Sequence, residues 1–257
     1  MRRRDFLALS GLFAAPAWAA ERVRPKSLGI AAASDLKFAM DELIARFQET
    51  RPGQIVRVSY GSSGTLLAQI RAGAPFDVFF SADADYPRTL ETDGLGDGPT
   101  FLYATGHLAI WVPKPSPLDI EAKGLKALAG PAARKIAIAN PRHAPYGRAA
   151  EAALRNAGLY DALEPKLVFA ENVAQAAHFV ESGAADAGLV ARALSKARGM
   201  GEKVRFVDVP EGLHPKLTQG GLVLKASKNL PEARAFRTFA LSETGRAIFV
   251  AYGFSAP

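Results

Sequence analysis

The chain has 257 residues, of which 49% are hydrophobic, carries a formal net charge of +7 and contains no cysteine. This composition is typical of a globular protein and excludes a disulfide framework, thiol catalysis and cysteine-based metal sites. The lysines and arginines are scattered, and no basic run is interleaved with aromatic residues. The charge therefore does not indicate a nucleic-acid partner.

Residues 1–19 have the anatomy of a cleaved signal peptide. Three arginines at 2–4 precede an apolar stretch that runs to Ala15, and Ala17-Trp18-Ala19 is a small-x-small cleavage site. The run Arg3-Arg4-Asp5-Phe6-Leu7 resembles a twin-arginine signal, which predicts export to the periplasm. The apolar stretch is shorter than the roughly 20 residues that span a bilayer. Because residues 1–19 carry three arginines and one aspartate, the mature chain has a net charge near +5.

Apolar periodicity in the first third of the chain predicts the order strand, helix, strand, helix, strand. Ser34 follows the first strand and is predicted to be the N-cap of the first helix. The predicted strands are 28–33, 56–60 and 76–80, and the helices between them begin after Ser34 and at Gly61–Gly64.

The alternation continues with a different sequence. Strands are predicted at 108–112, 136–139, 167–170, 188–190 and 204–209, with helices at 147–157 and 173–181. A last strand at 221–224 precedes helices at 231–241 and 243–252. Alternating strands and helices predict an α/β fold with doubly wound parallel sheets, and two sheets of about five strands suit ordinary sheet sizes better than one of ten.

Two domains are therefore expected, with a ligand cleft between them. Domain I is predicted to be discontinuous, comprising residues 20–105 and 217–257, and domain II to comprise residues 106–216. The chain is expected to cross between them near Thr105 and near Leu217, without a long linker at either place.

Two short loops, Ala31-Ala32-Ala33-Ser34 and Gly61-Ser62-Ser63-Gly64, each close an apolar strand and open a helix. The first N–H groups of a helix have no intrahelical partner and the helix dipole is positive there, so each loop offers donors to an anion. Two further strand-to-helix junctions, 140–147 and 171–173, fall at the same edge of an open α/β sheet. Taken singly, each loop is also explained by helix capping, turn chemistry or packing.

Motifs for enzymatic chemistry are absent from the sequence. Thr65 breaks the G-x-S-x-G pattern of a serine hydrolase, and neither Gly-rich nucleotide signature is present. No spacing typical of a zinc site joins the four histidines, which are His107, His143, His178 and His214. No catalytic residue, cofactor or direct metal ligand is predicted.

With these loops in place, the chain resembles the periplasmic molybdate-binding proteins, the solute receptors of molybdate ABC importers. The resemblance spans essentially the whole mature chain. It rests on the two serine loops, on Gly73-Ala74-Pro75-Phe76-Asp77-Val78-Phe79-Phe80-Ser81-Ala82-Asp83, on Asn140-Pro141-Arg142-His143-Ala144-Pro145-Tyr146-Gly147, on Glu171-Asn172-Val173, on Gly183-Ala184-Ala185-Asp186-Ala187-Gly188 and on Tyr252-Gly253-Phe254.

The resemblance implies a type II periplasmic binding protein-like architecture that closes on dehydrated molybdate or tungstate. It implies that Ser34 and Ser63 each give a hydroxyl and an N–H group, and that Tyr146 and Val173 give backbone N–H groups. Two neighbouring residues are second-tier candidates, Ala33 and Ser62. The implied partner is the membrane permease of a molybdate ABC importer, and the receptor is expected to be a monomer that binds no nucleic acid.

One position departs from the family pattern. Some members have a tyrosine just after the strand at 188–190 whose hydroxyl contacts the oxyanion, and this chain has Ala191 there.

Two alternative functions stay open on the sequence. One is a receptor for another oxyanion, such as sulfate or phosphate, and the other is an enzyme on the same scaffold, for which Asp35 and His143 are the nearby acid–base candidates. Because neutral donors do not discriminate by charge, selection is expected to follow cavity size. No carboxylate is predicted in the site, so a protonated phosphate would lack an acceptor.

Overall fold

The computed structural model describes residues 27–257, in which strands and helices alternate along the chain. The strands are β1 (Ser27–Ala33), β2 (Ile55–Gly61), β3 (Val78–Ser81), β4 (Phe101–Gly106), β5 (Leu108–Pro113), β6 (Ile136–Ala139), β7 (Leu167–Ala170), β8 (Ala187–Ala191), β9 (Val204–Asp208) and β10 (Leu217–Val223). The helices are α1 (Lys37–Thr50), α2 (Ser63–Arg71), α3 (Asp85–Thr92), α4 (Ile120–Lys123), α5 (Pro145–Asn156), α6 (Tyr160–Leu163), α7 (Val173–Glu181), α8 (Met200–Lys203), α9 (Leu230–Ala240) and α10 (Glu243–Ala251).

These strands form two five-stranded sheets, and each sheet is the centre of an α/β domain. The first sheet has the order β2-β1-β3-β10-β4, and the second has the order β7-β6-β8-β5-β9. The predicted α/β class with two domains is confirmed. The predicted signal peptide at 1–19, and residues 20–26 of predicted domain I, lie outside the described residues.

The prediction that the sheets are wholly parallel is wrong. β1, β2 and β3 are parallel, as are β6, β7 and β8, but β10 and β5 run antiparallel to both of their neighbours. Parallel neighbours need a crossover connection, usually a helix. Only His107 separates β4 from β5, so the chain enters the second sheet without such a crossover.

Period-two alternation divides the apolar residues of the first sheet between two helical layers. Leu28, Ile30 and Ala32 of β1 face a core shared with α1, α9 and α10, whereas Ala31 faces a smaller core shared with α2 and α3. Helices thus cover both faces of this sheet, as in a doubly wound domain. The second sheet has one continuous core, in which Trp111 is the largest fully buried side chain.

Two elements of the first domain, α3 and β4, were not predicted from the sequence. Helix α3 is short and polar, carries Pro87 in its first turn and has only Pro87 and Leu90 buried. Strand β4 lies where the chain was expected to cross between domains, and β10 begins four residues earlier than the predicted strand at 221–224. Across residues 27–257, every helix is too short or too polar to span a membrane.

Candidate functional site

A small cavity lies between the two domains, where the carboxyl ends of β1, β2 and β3 face the junctions before α5 and α7. Its volume is about 10 Å³, which suits one small solute rather than a sugar or an amino acid. All six residues predicted for the site line this cavity, and they come from both domains. The lining residues are Ala33, Ser34, Asp35, Gly61, Ser62, Ser63, Ala82, Ala144, Pro145, Tyr146 and Val173.

Four backbone N–H groups at the cavity have no acceptor among residues 27–257. They belong to Ser34, Ser63, Tyr146 and Val173, the same residues that the family resemblance implies as donors. The next N–H group along α2 is paired, because Gly64 N donates to His143 O at 2.9 Å. A buried N–H without an acceptor is costly in a folded protein, so this set indicates a place prepared for an acceptor.

The hydroxyl groups of Ser34 and Ser63 are held in a way that leaves their hydrogens available. Ser34 Oγ accepts from Ala174 N at 3.3 Å, and Ser63 Oγ accepts from Ala82 N at 3.0 Å. No group in the described part of the chain accepts either hydroxyl hydrogen. Each oxygen is therefore fixed by an N–H group while its own hydrogen remains free to donate.

The predicted N-cap role of Ser34 is wrong. Residues Ser34–Leu36 form a 3-10 turn before α1, and the Ser34 side chain makes no capping hydrogen bond. The reason is that its oxygen instead reaches Ala174 in the first turn of α7, a contact across 140 residues. The residue that sequence reasoning assigned to local structure thus joins the two domains.

Three helices direct their N-terminal ends towards the cavity. Helices α2, α5 and α7 contain 9, 12 and 9 residues, and each contributes its first or second residue to the lining. Aligned peptide dipoles leave about half a positive charge at each such end. These helix ends therefore contribute positive potential to the cavity, although no lysine, arginine or histidine lines it.

Ser62 and Ala33 have roles that differ from those of the four donors. Ser62 is the N-cap of α2: its hydroxyl accepts from Thr65 N at 3.4 Å and contacts Thr65 Oγ1 at 2.7 Å and His143 Nδ1 at 2.8 Å. These contacts occupy the hydroxyl. Ala33 ends β1, and its register partner is Gly61 on β2.

The expectation that no carboxylate belongs to the site is wrong, because Asp35 lines the cavity and is only 2% exposed. Burial raises the pKa of Asp35 to about 6, although hydrogen bonds from Gln219, Tyr146 and the backbone N–H groups of Asp35 and Leu36 oppose the rise. From the sequence, Asp35 was a candidate only for the enzyme alternative. Nothing in the local pattern shows that the chain turns inward directly after Ser34.

Tyr146 is fully packed, and its hydroxyl is buried with the rest of the side chain. The residue is 1% exposed, and its hydroxyl meets the carboxyl group of Asp35 and lies 3.4 Å from Gln219 Nε2. Burial, the largest cause, and the charge of Asp35 hold the pKa of Tyr146 well above its usual range. A side chain on Gly106 would collide with this hydroxyl.

The mouth of the cavity is bridged by a set of side chains from both domains, here called the mouth cluster: Ser62, Thr65, His143 and Glu171. Thr65 Oγ1 donates to Glu171 Oε1 at 3.2 Å, and His143 Nε2 lies 3.8 Å from Glu171 Oε2. His143 therefore contacts Ser62 and Glu171 rather than lining the cavity. A short distance away, Arg148 of α5 binds Asp83 and the hydroxyl of Tyr86 at 2.6 Å each.

Ala191, at the position where some molybdate-binding proteins have tyrosine, is fully buried at the end of β8 and does not line the cavity. Residues 27–257 contain no group of three or more histidine or acidic residues that could hold a metal ion. The cavity therefore offers hydrogen-bond donors and no cluster of direct metal ligands.

Comparison with known proteins assigns the chain to a family. Residues 28–255 match the family model of the bacterial extracellular solute-binding proteins. The molybdate-binding protein ModA of Azotobacter vinelandii is 34% identical over 246 residues, which cover 95% of this chain and 94% of that protein. ModA of Rhodobacter capsulatus is 34% identical and covers 83% of this chain and 82% of its own.

The solved structures lead to the same family. The periplasmic molybdate-binding protein of Azotobacter vinelandii has a TM-score of 0.83 and 34% identity to this chain, covering 90% of this chain and 99% of that one. The chain therefore belongs to the bacterial extracellular solute-binding proteins, in the family of the molybdate-binding proteins ModA.

Proposed function

We propose that the protein binds molybdate or tungstate as a dehydrated tetrahedral oxyanion in the interdomain cavity and delivers it to an ABC importer. The observation that carries this proposal is the donor set: four N–H groups and two hydroxyls without acceptors in the described chain surround one cavity without a cationic side chain. The donors are those of Ser34, Ser63, Tyr146 and Val173.

The energetics of such a site are favourable without a formal counter-charge. A hydrogen bond from a neutral donor to a charged acceptor contributes roughly 1.5–3 kcal/mol. The donors and the three helix N-termini together offset the loss of the anion's water shell. Preset donors also lose little entropy on binding, because the protein backbone already fixes them.

Selection among oxyanions follows from the fixed separation of the donors. Sulfate is smaller than molybdate, so it would leave some donors buried without an acceptor, at roughly 1–3 kcal/mol for each. Hydrogen phosphate needs an acceptor for its own proton, and Asp35 is the lining residue that could supply one when ionised. We therefore expect sulfate to bind far more weakly than molybdate. Phosphate is the more demanding test of selectivity, because an ionised Asp35 could accept its proton.

The donors come from both domains, so anion binding and domain closure are coupled. We propose domain limits of 20–105 with 217–257 and 106–216. The first sheet takes its strands from 27–106 and 217–223 and the second from 108–208, which supports these limits.

We also propose export to the periplasm through the twin-arginine-like signal at 1–19, and a monomer that docks on a membrane permease.

We propose a receptor rather than an enzyme. Asp35 and His143 were the acid–base candidates, and the structure separates them: Asp35 lines the cavity, whereas His143 contacts Ser62 at the mouth. Cofactor-dependent chemistry has no support in the residues of the site. Turnover of a phosphate or sulfate ester by the purified protein would contradict this assignment.

Isothermal titration calorimetry on the mature protein tests the proposal, with molybdate, tungstate, sulfate and phosphate under one set of conditions. We expect molybdate and tungstate to bind at least about 100-fold more tightly than sulfate, which corresponds to losing one or two matched donors. Equal affinities for sulfate and molybdate would refute selection by size, and no binding of any of the four would refute the oxyanion site.

A further inference from the structure

Asp35 is a buried carboxyl group in a cavity whose other polar groups are donors for an anion. Its Oδ2 atom accepts a hydrogen bond from Gln219 Nε2 at 2.6 Å, and the hydroxyl of Tyr146 also meets the carboxyl group. Its Oδ1 atom is buried and has no hydrogen-bond partner of good geometry among residues 27–257. One oxygen is therefore held by a donor, and the other is the site where a proton can be accommodated.

Tyr103 contacts the amide oxygen of Gln219, whereas the amide nitrogen of Gln219 contacts Asp35. The hydroxyl of Tyr103 lies 2.7 Å from Gln219 Oε1 and 3.0 Å from the carbonyl oxygen of Ser81. With Gln219 Oε1 facing Tyr103, the amide group presents Nε2 to Asp35. This chain of contacts joins β4, β10 and the turn after β1, and Tyr146 adds the second domain.

Among residues 27–257, no lysine, arginine or histidine pairs with Asp35 to compensate its charge. The segments packed against the turn at 34–36 are α1, α7 and the 3-10 turn at 192–196. The first turn of α7 carries no ionisable side chain. Arg192 binds Asp208 and the carbonyl of Gly253, and Lys37 lies over the ring of Phe38.

The other ionisable groups of these segments do not compensate Asp35 either: on α1, Arg46 pairs with Glu49, and Glu42 is acidic. Asp41 of α1 accepts from Tyr60, and His178 and Glu181 are at the far end of α7. Lys196 ends the 3-10 turn. Tyr103 and Tyr146 are the ionisable groups that face Asp35 directly, and both are neutral near pH 7 because burial raises the pKa of each.

An ionised Asp35 and a bound dianion would repel each other across a buried, low-dielectric space. We propose, building on the oxyanion-binding function above, that Asp35 takes up one proton from solution when the dianion binds and faces the anion as a neutral carboxyl group. Asp35 then sets the affinity at a given pH without supplying a charge to the anion. The reaction is one dianion plus one proton bound per protein, with no other bond made or broken.

The direction of the pH dependence follows from linkage. The pKa of Asp35 is about 6 in the structure, and a neighbouring dianion raises it further. Below about pH 6 the carboxyl group is already neutral, so binding takes up little or no proton. Above that value, binding requires a proton, and the affinity falls by up to about tenfold per pH unit until the pKa of the complex is reached.

Calorimetry with molybdate in two buffers of different ionisation enthalpy measures this proton directly. At about pH 8 we expect uptake approaching one proton per molybdate bound, and at about pH 5 we expect uptake near zero. The apparent affinity should fall over the same interval. This measurement uses the unmodified mature protein, so it decides the question whatever the variants do.

Asp35→Asn is the matching variant, because its carbonyl oxygen can take the place of Oδ2 while its amide group mimics the protonated Oδ1. We expect Asp35→Asn to bind molybdate without proton uptake and with an affinity that changes less than about twofold between pH 6 and 8. The control is Asp85→Asn, whose side chain is 81% exposed beside Arg88, and which should retain the full pH dependence. Both proteins share the protonation of molybdate itself, so their difference isolates Asp35.

The possible failures are distinguishable. Tight molybdate binding without proton uptake, at an affinity independent of pH in the unmodified protein, would overturn the role of Asp35 and leave the oxyanion site intact. Persisting proton uptake in Asp35→Asn would also overturn it. No molybdate binding at any pH would instead refute the proposed function, and the inference with it.

Discussion

At the scale of single residues, the serine hydroxyls of the cavity differ in the hydrogen bonds that they accept. Ser63 Oγ is fully buried and accepts from the N–H group of Ala82, in the loop that follows β3. Ser34 Oγ accepts from Ala174 in the other domain, at a longer 3.3 Å. Ser63 therefore supports its own domain, whereas Ser34 contributes to closure.

Replacing Ser63 with alanine removes a donor to the anion and the acceptor for Ala82. We expect at least a tenfold loss of molybdate affinity, since a hydrogen bond to a charged group contributes roughly 1.5–3 kcal/mol. We also expect a folded protein whose free energy of unfolding is lower by about 1–3 kcal/mol, because a buried N–H group loses its partner. Titration calorimetry and denaturant unfolding measure the two effects.

The matched control is Ser59→Ala on the exposed face of β2, which should change neither quantity by more than about 0.5 kcal/mol. An unchanged molybdate affinity in Ser63→Ala would remove Ser63 from the proposed site.

At the scale of elements, the site depends on how closely the N-terminus of α2 approaches the loop before α5. Gly64 N donates to His143 O at 2.9 Å, and a Cβ atom on residue 64 would lie 2.7 Å from that same oxygen. The atom in the way belongs to the backbone, so a side-chain rotation cannot relieve the clash. Glycine at 64 is thus a requirement of the contact between domains, not of the fold of the first domain.

Gly64→Ala should therefore impair closure and leave each domain folded. We expect molybdate affinity to fall by about tenfold or more, chiefly through faster dissociation, because most affinity changes within one complex appear in the off-rate. Stopped-flow displacement of molybdate by excess tungstate measures that rate. Gly201→Ala is the control, since nothing lies within 4 Å of the added Cβ atom; equal off-rates for the two variants would contradict the closure role.

At the scale of the whole molecule, the proposed donors are divided between the two domains. Ser34 and Ser63 belong to the first domain, and Tyr146 and Val173 belong to the second. Neither domain alone surrounds an anion. The mouth cluster and the Arg148–Asp83 ion pair add contacts that exist only when the domains meet.

Closure should be visible in solution as a change of shape. We expect small-angle X-ray scattering to show a smaller radius of gyration with saturating molybdate than without it, at the mass of a monomer in both cases. Domain closure around a ligand is the expected motion for two domains joined by short crossings. An identical scattering curve with and without molybdate, in a protein that calorimetry shows to bind it, would refute coupling between binding and closure.

Much of the fold follows from local pattern. The strand at 167–170 and the helix at 173–181 were predicted with the bounds that the structure has, because a short apolar run and an asparagine N-cap are both local signals. Strand β4 and helix α3 were missed, and the sheets were predicted to be wholly parallel, because strand direction depends on which sheet the chain joins next.

The candidate site also combines features that the sequence predicts with features that only the tertiary structure decides. The sequence alone determined which residues end a strand and begin a helix, and helix ends leave N–H groups without partners wherever they occur. The choice of Ser34, Ser63, Tyr146 and Val173 as expected donors came from the resemblance to the molybdate-binding proteins. Only the tertiary structure decided that these ends meet at one cavity, that Ser34 reaches Ala174 instead of capping its own helix, and that Asp35 is buried beside Tyr146 and Gln219. The physical reason is that helix capping and apolar periodicity act over a few residues, whereas burial and the pKa of a carboxyl group depend on partners that lie more than 100 positions away along the chain.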